Sequence, residues 1–234
     1  MTKRTYRQAG VAASDGGFAV TLDGKPMRTP GKAALAVPSP ALAAAIAEEW
    51  QAQGSDIDPN TMPMTRLASI ALDLVAPRRG EAANAVVKYA ETDLVCYRAG
   101  HPPELVARQE AAWQPLVRWI EERFGARLAV TEGVVPTTQP AAALDAVAAA
   151  VAAYDAWALA ALNLATAACG SVVVALALAE GRLGADDAFA AAQLDESFEI
   201  ERWGEDAEQT QRRSALRDDI VASARFLALL RGGG

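Results

Sequence analysis

The sequence predicts an α+β protein, with a small N-terminal β-containing domain over residues 1–90 and a larger, mainly α-helical domain over residues 91–234. Three observations carry that prediction. Residues 18–22 alternate at strand period and run into Asp23-Gly24, a two-residue hairpin signal. Beyond His101-Pro102-Pro103, apolar residues recur at helical spacing. The second half is also rich in alanine, the strongest helix former.

Residues 6–37 read as two or three antiparallel strands. Gly16-Gly17 marks a turn, Phe18, Val20 and Leu22 alternate with Ala19 and Thr21, and residues 34–37 add a short strand before Pro38. Ser39 followed by Pro40 is a helix N-cap with proline at the first helical position. Leu42, Ile46 and Trp50 follow at four-residue steps, so Trp50 is expected to be structural, and Gly54 is the expected stop. Pro63 opens a second helix with Leu67, Ile70, Ala71 and Leu74 on its inner face, and Pro77 is expected to end it. A short helix through Val86, Val87 and Ala90 leads into residues 93–98.

After the break, Leu105, Gln109, Ala112, Trp113, Leu116, Ile120 and Phe124 form one long stripe that ends at Gly125. Residues 127–131 form a candidate strand, 133–140 a linker and 141–153 an alanine-rich helix. Residues 156–179 contain no charge and are long enough to be weighed as a membrane span. Their alanines, with Asn163, Thr166, Gly170 and Ser171 and no flanking cluster of Lys or Arg, favour a buried central helix instead. No stable membrane insertion is expected. Residues 186–203 and 205–231 read as the last two helices, ahead of a frayed Gly232-Gly233-Gly234 tail.

Net charge is -7 with a pI near 4.9, which disfavours nucleic acid, because that partner requires a basic footprint. Cys96 and Cys169 form no CxxC pair and read as buried free thiols. The only histidine, His101, sits beside two prolines, so histidine-based nucleophilic or metal chemistry lacks its parts. Neither phosphate-binding glycine motif occurs, and no metal or cofactor is expected. A basic start with no apolar run behind it is not a secretory signal.

What remains is the stretch 194–206. Asp195, Glu196, Glu199, Glu201, Glu205 and Asp206 stand there against the single Arg202, with Leu194, Phe198, Ile200 and Trp203 interspersed. Leu194 and Phe198 share a helical face, and Gly204 can end the helix in a left-handed residue. Three readings are open: a solvated helix face, a recognition surface of apolar anchors ringed by charge, and a carboxylate-dependent hydrolase using the acidic cluster 195–206.

Five ordered motifs then agree with one family. They are residues 18–30, Glu49-Trp50, Thr92-Asp93-Leu94-Val95-Cys96-Tyr97-Arg98, Trp113-Gln114-Pro115-Leu116, and Leu194-Asp195-Glu196 through Trp203-Gly204. In these the chain resembles the ATP-twelve family, assembly chaperones for the alpha subunit of the F-type ATP synthase catalytic head. The resemblance implies a non-enzymatic protein that binds unassembled alpha subunit, shields its beta-facing surface from aggregation and promotes assembly of the catalytic head. Members of that family occur in the mitochondrial matrix and in α-proteobacteria, and the alanine-rich composition without a presequence points to an α-proteobacterial, cytoplasmic member, expected to be monomeric. Glu196 is the first candidate for partner binding and Asp195 the second, with Phe198, Glu199, Glu201 and Glu205 around them. Trp50, Trp203 and Gly204 are expected to be structural, with Trp203-Gly204 as the packed end of the helix.

Overall fold

The computed structural model describes residues 2–133, 135 and 137–232. Val134 and Pro136 of the expected linker, and Gly233 and Gly234 of the expected tail, lie outside the described residues. The architecture is α+β, as expected, in two compact units. One comprises Met1–Arg79, Asp155–Ala161 and Arg225–Gly234, the other Gly80–Tyr154 and Leu162–Ala224.

The first unit opens with β1 (Thr2–Lys3), β2 (Ala9–Ser14), β3 (Gly17–Leu22), β4 (Lys25–Pro26) and β5 (Ala36–Val37). β3 is central and pairs antiparallel with β2, β4 and β5, which is why Val20 and both its neighbours are buried. Asp23 and Gly24 join β3 to β4 with φ of 48° and 76°, the paired positive values of a type I′ turn. The Asp23 carboxylate accepts from the backbone N–H groups of Gln8 and Arg7 at 2.9 and 3.0 Å, which hold its pKa below the usual value.

Helix α1 (Pro40–Gln51) begins as expected, with Ser39 Oγ accepting from the Leu42 N–H at 3.4 Å and donating to the Leu229 carbonyl at 2.6 Å. It ends at Ala52 and not at Gly54. The Arg4 guanidinium donates to the carbonyls of Gln51 (3.0 Å) and Gln53, so the last carbonyls are satisfied without a left-handed glycine. β6 (Asp56–Ile57) then pairs with β1. Trp50 is half-buried, with the Tyr6 ring edge-on at 5.7 Å and the Tyr6 hydroxyl donating to its carbonyl at 2.6 Å. Its indole N–H is buried and finds no acceptor among the described residues, a cost of about 1–3 kcal/mol.

Helix α2 (Pro63–Ile70) takes its N-terminal cap from outside itself. The Glu49 carboxylate accepts from the N–H groups of Met64 (2.7 Å) and Thr65 (2.8 Å) and from the Thr65 hydroxyl (2.7 Å). Pro77 does not stop the chain from coiling. A π turn over Ala71–Val75 and a 3₁₀ turn over Ala76–Arg78 lead directly into α3 (Arg79–Val87). The wide turn adds a residue to the helical repeat, so Leu74, expected inside, is 50% exposed and Val75 takes the buried place.

In the second unit, β7 (Tyr97–Arg98), α4 (Pro103–Phe124), β8 (Thr131–Glu132), α5 (Ala141–Ala152), α6 (Ala156–Cys169), α7 (Val172–Ala179), α8 (Ala185–Ala192), α9 (Leu194–Trp203) and α10 (Ala207–Arg231) follow in order, α6 and α10 each giving one end to the first unit. The expected strand over 127–131 shrinks to β8, which pairs parallel with β7, because the Gln139 side chain occupies both backbone groups of Ala129 at 2.8 and 3.0 Å. The expected single helix over 156–179 is broken at Gly170, φ 62°, and the one over 186–203 at Gln193. Among the described residues no helix is long and apolar enough to cross a membrane.

Helix α7 is buried on every side, so its first N–H groups have no water to bond. Ser171 Oγ accepts from the Val174 N–H (3.0 Å) and donates to Asp93 Oδ1 (2.6 Å), while Asp93 Oδ2 accepts from the Val173 N–H (3.1 Å). Burial pushes the Asp93 carboxyl up to about 6, and the bonds from Ser171 and Val173 oppose that rise. A folded pKa above the unfolded one means that this group's contribution is fully present below the ordinary value of 3.8 and is lost as pH rises through about 6. Asp93→Asn replaces one acceptor by a donor facing the Val173 N–H and should be less stable than the unaltered chain. Its deficit should shrink, by up to about 3 kcal/mol, between pH 4 and pH 7. Urea unfolding at both pH values measures this, and a deficit that does not change with pH would take Asp93 out of the pH dependence.

Candidate functional site

Helix α9 restarts after the non-helical Gln193 and carries Asp195 and Glu196 in its first turn, where the helix dipole favours carboxylates. It stops at Gly204, whose φ of 84° and ψ of 172° lie in a region essentially reserved for glycine. Phe198 is buried and anchors the helix, and two guanidinium groups cover its ring, Arg202 at 4.1 Å and Arg108 at 5.2 Å.

The carboxylates are not equivalent. Asp195 is half-buried and accepts from Gln109 Nε2 at 2.7 Å; burial raises its pKa and the Gln109 bond opposes the rise. Gln109 is itself buried in α4, accepts from the Ala99 N–H at 2.7 Å, and gives its carbonyl to the Arg98 guanidinium at 3.0 Å. Glu201 forms a two-pronged pair with Arg108 at 2.7 and 2.8 Å, which holds its carboxyl below the usual range. Glu205 pairs with Arg213 at 3.2 Å, and Arg213 also donates to Ser197 Oγ at 3.1 Å. Glu196 accepts from Gln209 Nε2 at 3.0 Å, and Glu199 is exposed. The helix is thereby tied to α4 and α10 by Asp195, Glu196, Phe198, Glu201 and Glu205.

Trp203 corrects the expectation of a packed helix end, because it is 80% exposed. Five residues at about 100° each put it roughly 140° away from the buried Phe198, whereas Arg202, four residues on, lies over that ring. Arg108, Gln109 and Arg213 were absent from the sequence-based site. Gln109 had a signal, a polar residue at a stripe position of an apolar helix face; for the two arginines nothing in the sequence marks the partner.

A hydrolase would need a pocket holding two of these carboxylates. The cavity seen in the first unit is lined by residues between 2 and 74 and by none from 195–206. Among the described residues no three His, Cys, Asp or Glu side chains come together so as to hold a metal ion.

The family model described as ATP12 chaperone protein matches residues 3–121, half of the chain. The chain belongs to the ATP12 chaperone family. It is similar to the crystal structure of Atp12 from Paracoccus denitrificans, with 41% identity and a TM-score of 0.94 over 98% of each chain, and matches an Asp-to-Lys variant of that protein equally well. The Atu1473 protein of Agrobacterium tumefaciens is 42% identical, with a TM-score of 0.90 over 98% of this chain and 85% of that one. The mitochondrial protein atp12 of Schizosaccharomyces pombe is 23% identical over 236 residues, covering 95% of this chain and 81% of that protein. ATP12 is a chaperone family and not an enzyme family, which sets the hydrolase reading aside.

The Asp195 environment is directly measurable. Carboxyl NMR should show Asp195 titrating above the ordinary aspartate value. In Gln109→Met, which removes the opposing hydrogen bond, it should titrate higher still. A lower value in that variant would contradict the hydrogen bond seen here.

Proposed function

We propose that this protein binds the unassembled alpha subunit of the F-type ATP synthase, shields its beta-facing surface from aggregation, and releases it into the catalytic head as assembly proceeds. ATP12 membership supports an ATP synthase assembly chaperone. The observation that carries a partner surface on α9 is Trp203, a large aromatic left 80% exposed at the end of a helix whose other apolar anchor is buried. Trp is among the residues enriched at interface hot spots. In this reading Trp203, Glu196 and Glu199 meet the partner. Asp195, Phe198, Glu201 and Glu205 hold α9 in position through their contacts with α4 and α10, and Gly204 ends it. The acidic rim steers a basic surface of the alpha subunit and leaves affinity moderate, as a chaperone that later yields its client requires. Relatives from Paracoccus and Agrobacterium support a bacterial setting, and in this reading the protein works in the cytoplasm.

Light scattering of purified alpha subunit under aggregating conditions tests this, with gel filtration to detect the complex. Trp203→Ala should weaken the complex about tenfold or more. Glu196→Lys should weaken it more at low salt than at high salt. Both variants should keep the circular dichroism of the unaltered chain. Full suppression of aggregation by both variants would remove α9 from the interface, and no suppression by the unaltered chain would remove the proposal.

A further inference from the structure

The larger sheet of the first unit has two edges, and they are built differently. On one side β3 is met by β4 and β5, each two residues long, and β4 is Lys25-Pro26, a charge and a proline that discourage further pairing. On the other side β2 runs beside β3 in unbroken register, from Ala9 opposite Leu22 to Ser14 opposite Gly17. Its sequence, Ala9-Gly10-Val11-Ala12-Ala13-Ser14, holds no charge and no proline, and residues 11–14 are exposed. Bonded and unbonded pairs alternate along an antiparallel ladder. Val20, opposite Val11, donates its N–H to the Leu35 carbonyl at 3.1 Å, and its own carbonyl accepts from the Met27 N–H at 2.8 Å, both away from β2. Val11 therefore turns its N–H and C=O outward, and Ala13, two residues on, does the same. Neither finds a partner among the described residues. Ala9 shares that phase, but Gln51 Oε1 already accepts from its N–H at 2.9 Å. The open edge is residues 11–13.

Geometry selects the occupant. Outward N–H and C=O groups repeating at about 7 Å, two residues apart, are the complement of another extended backbone. A second copy of this chain matches poorly. Ala and Gly would stand opposite Ala and Gly, pairs that contribute little, between chains that each carry a net charge of -7. The small side chains of β2 instead leave room beside the edge for larger ones, β-branched or aromatic, on the incoming strand. We infer that β2 takes an extended segment of the unassembled alpha subunit, rich in β-branched or aromatic residues, as an added strand. The inference rests on the chaperone reading above and adds a contact in the unit that does not contain α9. Backbone pairing supplies the affinity, and the side chains of the incoming strand supply the choice.

The test uses the full chain and purified alpha subunit. The Val11 N–H takes no part in the ladder with β3, so Val11→Pro should keep the circular dichroism and urea midpoint of the unaltered chain. It should weaken the complex about tenfold, whereas Val11→Thr, which keeps the N–H, should change it by about twofold or less. Amide exchange in the unaltered chain is a second measurement that needs no variant. Val11 and Ala13 should exchange quickly in the free chain and at least about tenfold more slowly in the complex. Glu196→Lys, run in parallel, reports α9 separately. Unchanged affinity in a folded Val11→Pro chain, or Val11 and Ala13 amides that exchange alike free and bound, would overturn this inference. A complex still weakened by Glu196→Lys would then leave the earlier proposal standing. Protection of the two amides that grows with the concentration of the free chain would assign the edge to a second copy and overturn the inference too. No complex with the unaltered chain overturns both.

Discussion

The second unit depends on one buried carboxylate. Helix α7 is made only of Val, Ala and Leu and is packed on all sides, so the polar N–H groups of its first turn must be satisfied from within the protein. Asp93 and Ser171 do this together, and the anionic group also meets the positive end of the helix dipole. The arrangement fixes the segment 93–98 against α7. From there Arg98 reaches the Gln109 carbonyl, and Gln109 reaches Asp195. The placement of the acidic helix is thus linked, bond by bond, to the burial of Asp93.

That linkage sets α9 apart from a freely solvated helix face, and the proposed function uses it as an interface. Several of its carboxylates are consumed by neighbours of matching chemistry, and what projects from it is an aromatic ring among charges. An interface of that kind gains selectivity from its charges and attraction from few contacts. Such an interface can hold a partner without locking it.

Much of this was legible in the sequence. Asp23-Gly24 named its own turn, Ser39-Pro40 its helix start and Gly125 the end of α4, because each of these signals is local and acts through one or two backbone bonds. Signals failed where a distant residue did the same work. Arg4 replaced Gly54 at the end of α1, and Gln139 stood in for a strand beside Ala129. The π turn hid in an unbroken helical pattern, since an extra residue per turn leaves no mark in residue types, and it reversed the side on which Leu74 lies. Glu49 and Asp93 lie in motifs that the family resemblance marked, but their purpose, capping helices α2 and α7 from a distance, is visible only in three dimensions. Trp203 lies outside because five residues from Phe198 is the wrong angular step for a shared face, and an apolar side chain does not by itself specify packing.

The two cysteines sit close in chemical terms to the same carboxylate. Cys96 and Cys169 are both buried, and burial together with the Asp93 charge pushes both thiols up to about 12. Thiolate is the reactive form, so the folded chain is nearly silent to alkylating reagents at neutral pH. Modification must wait for the surrounding structure to open, and its speed counts those openings. The natural sequence therefore already carries a native-state labelling assay for this interior, needing no engineered reporter: a client or substitution that tightens the unit slows alkylation, and one that loosens it hastens the reaction.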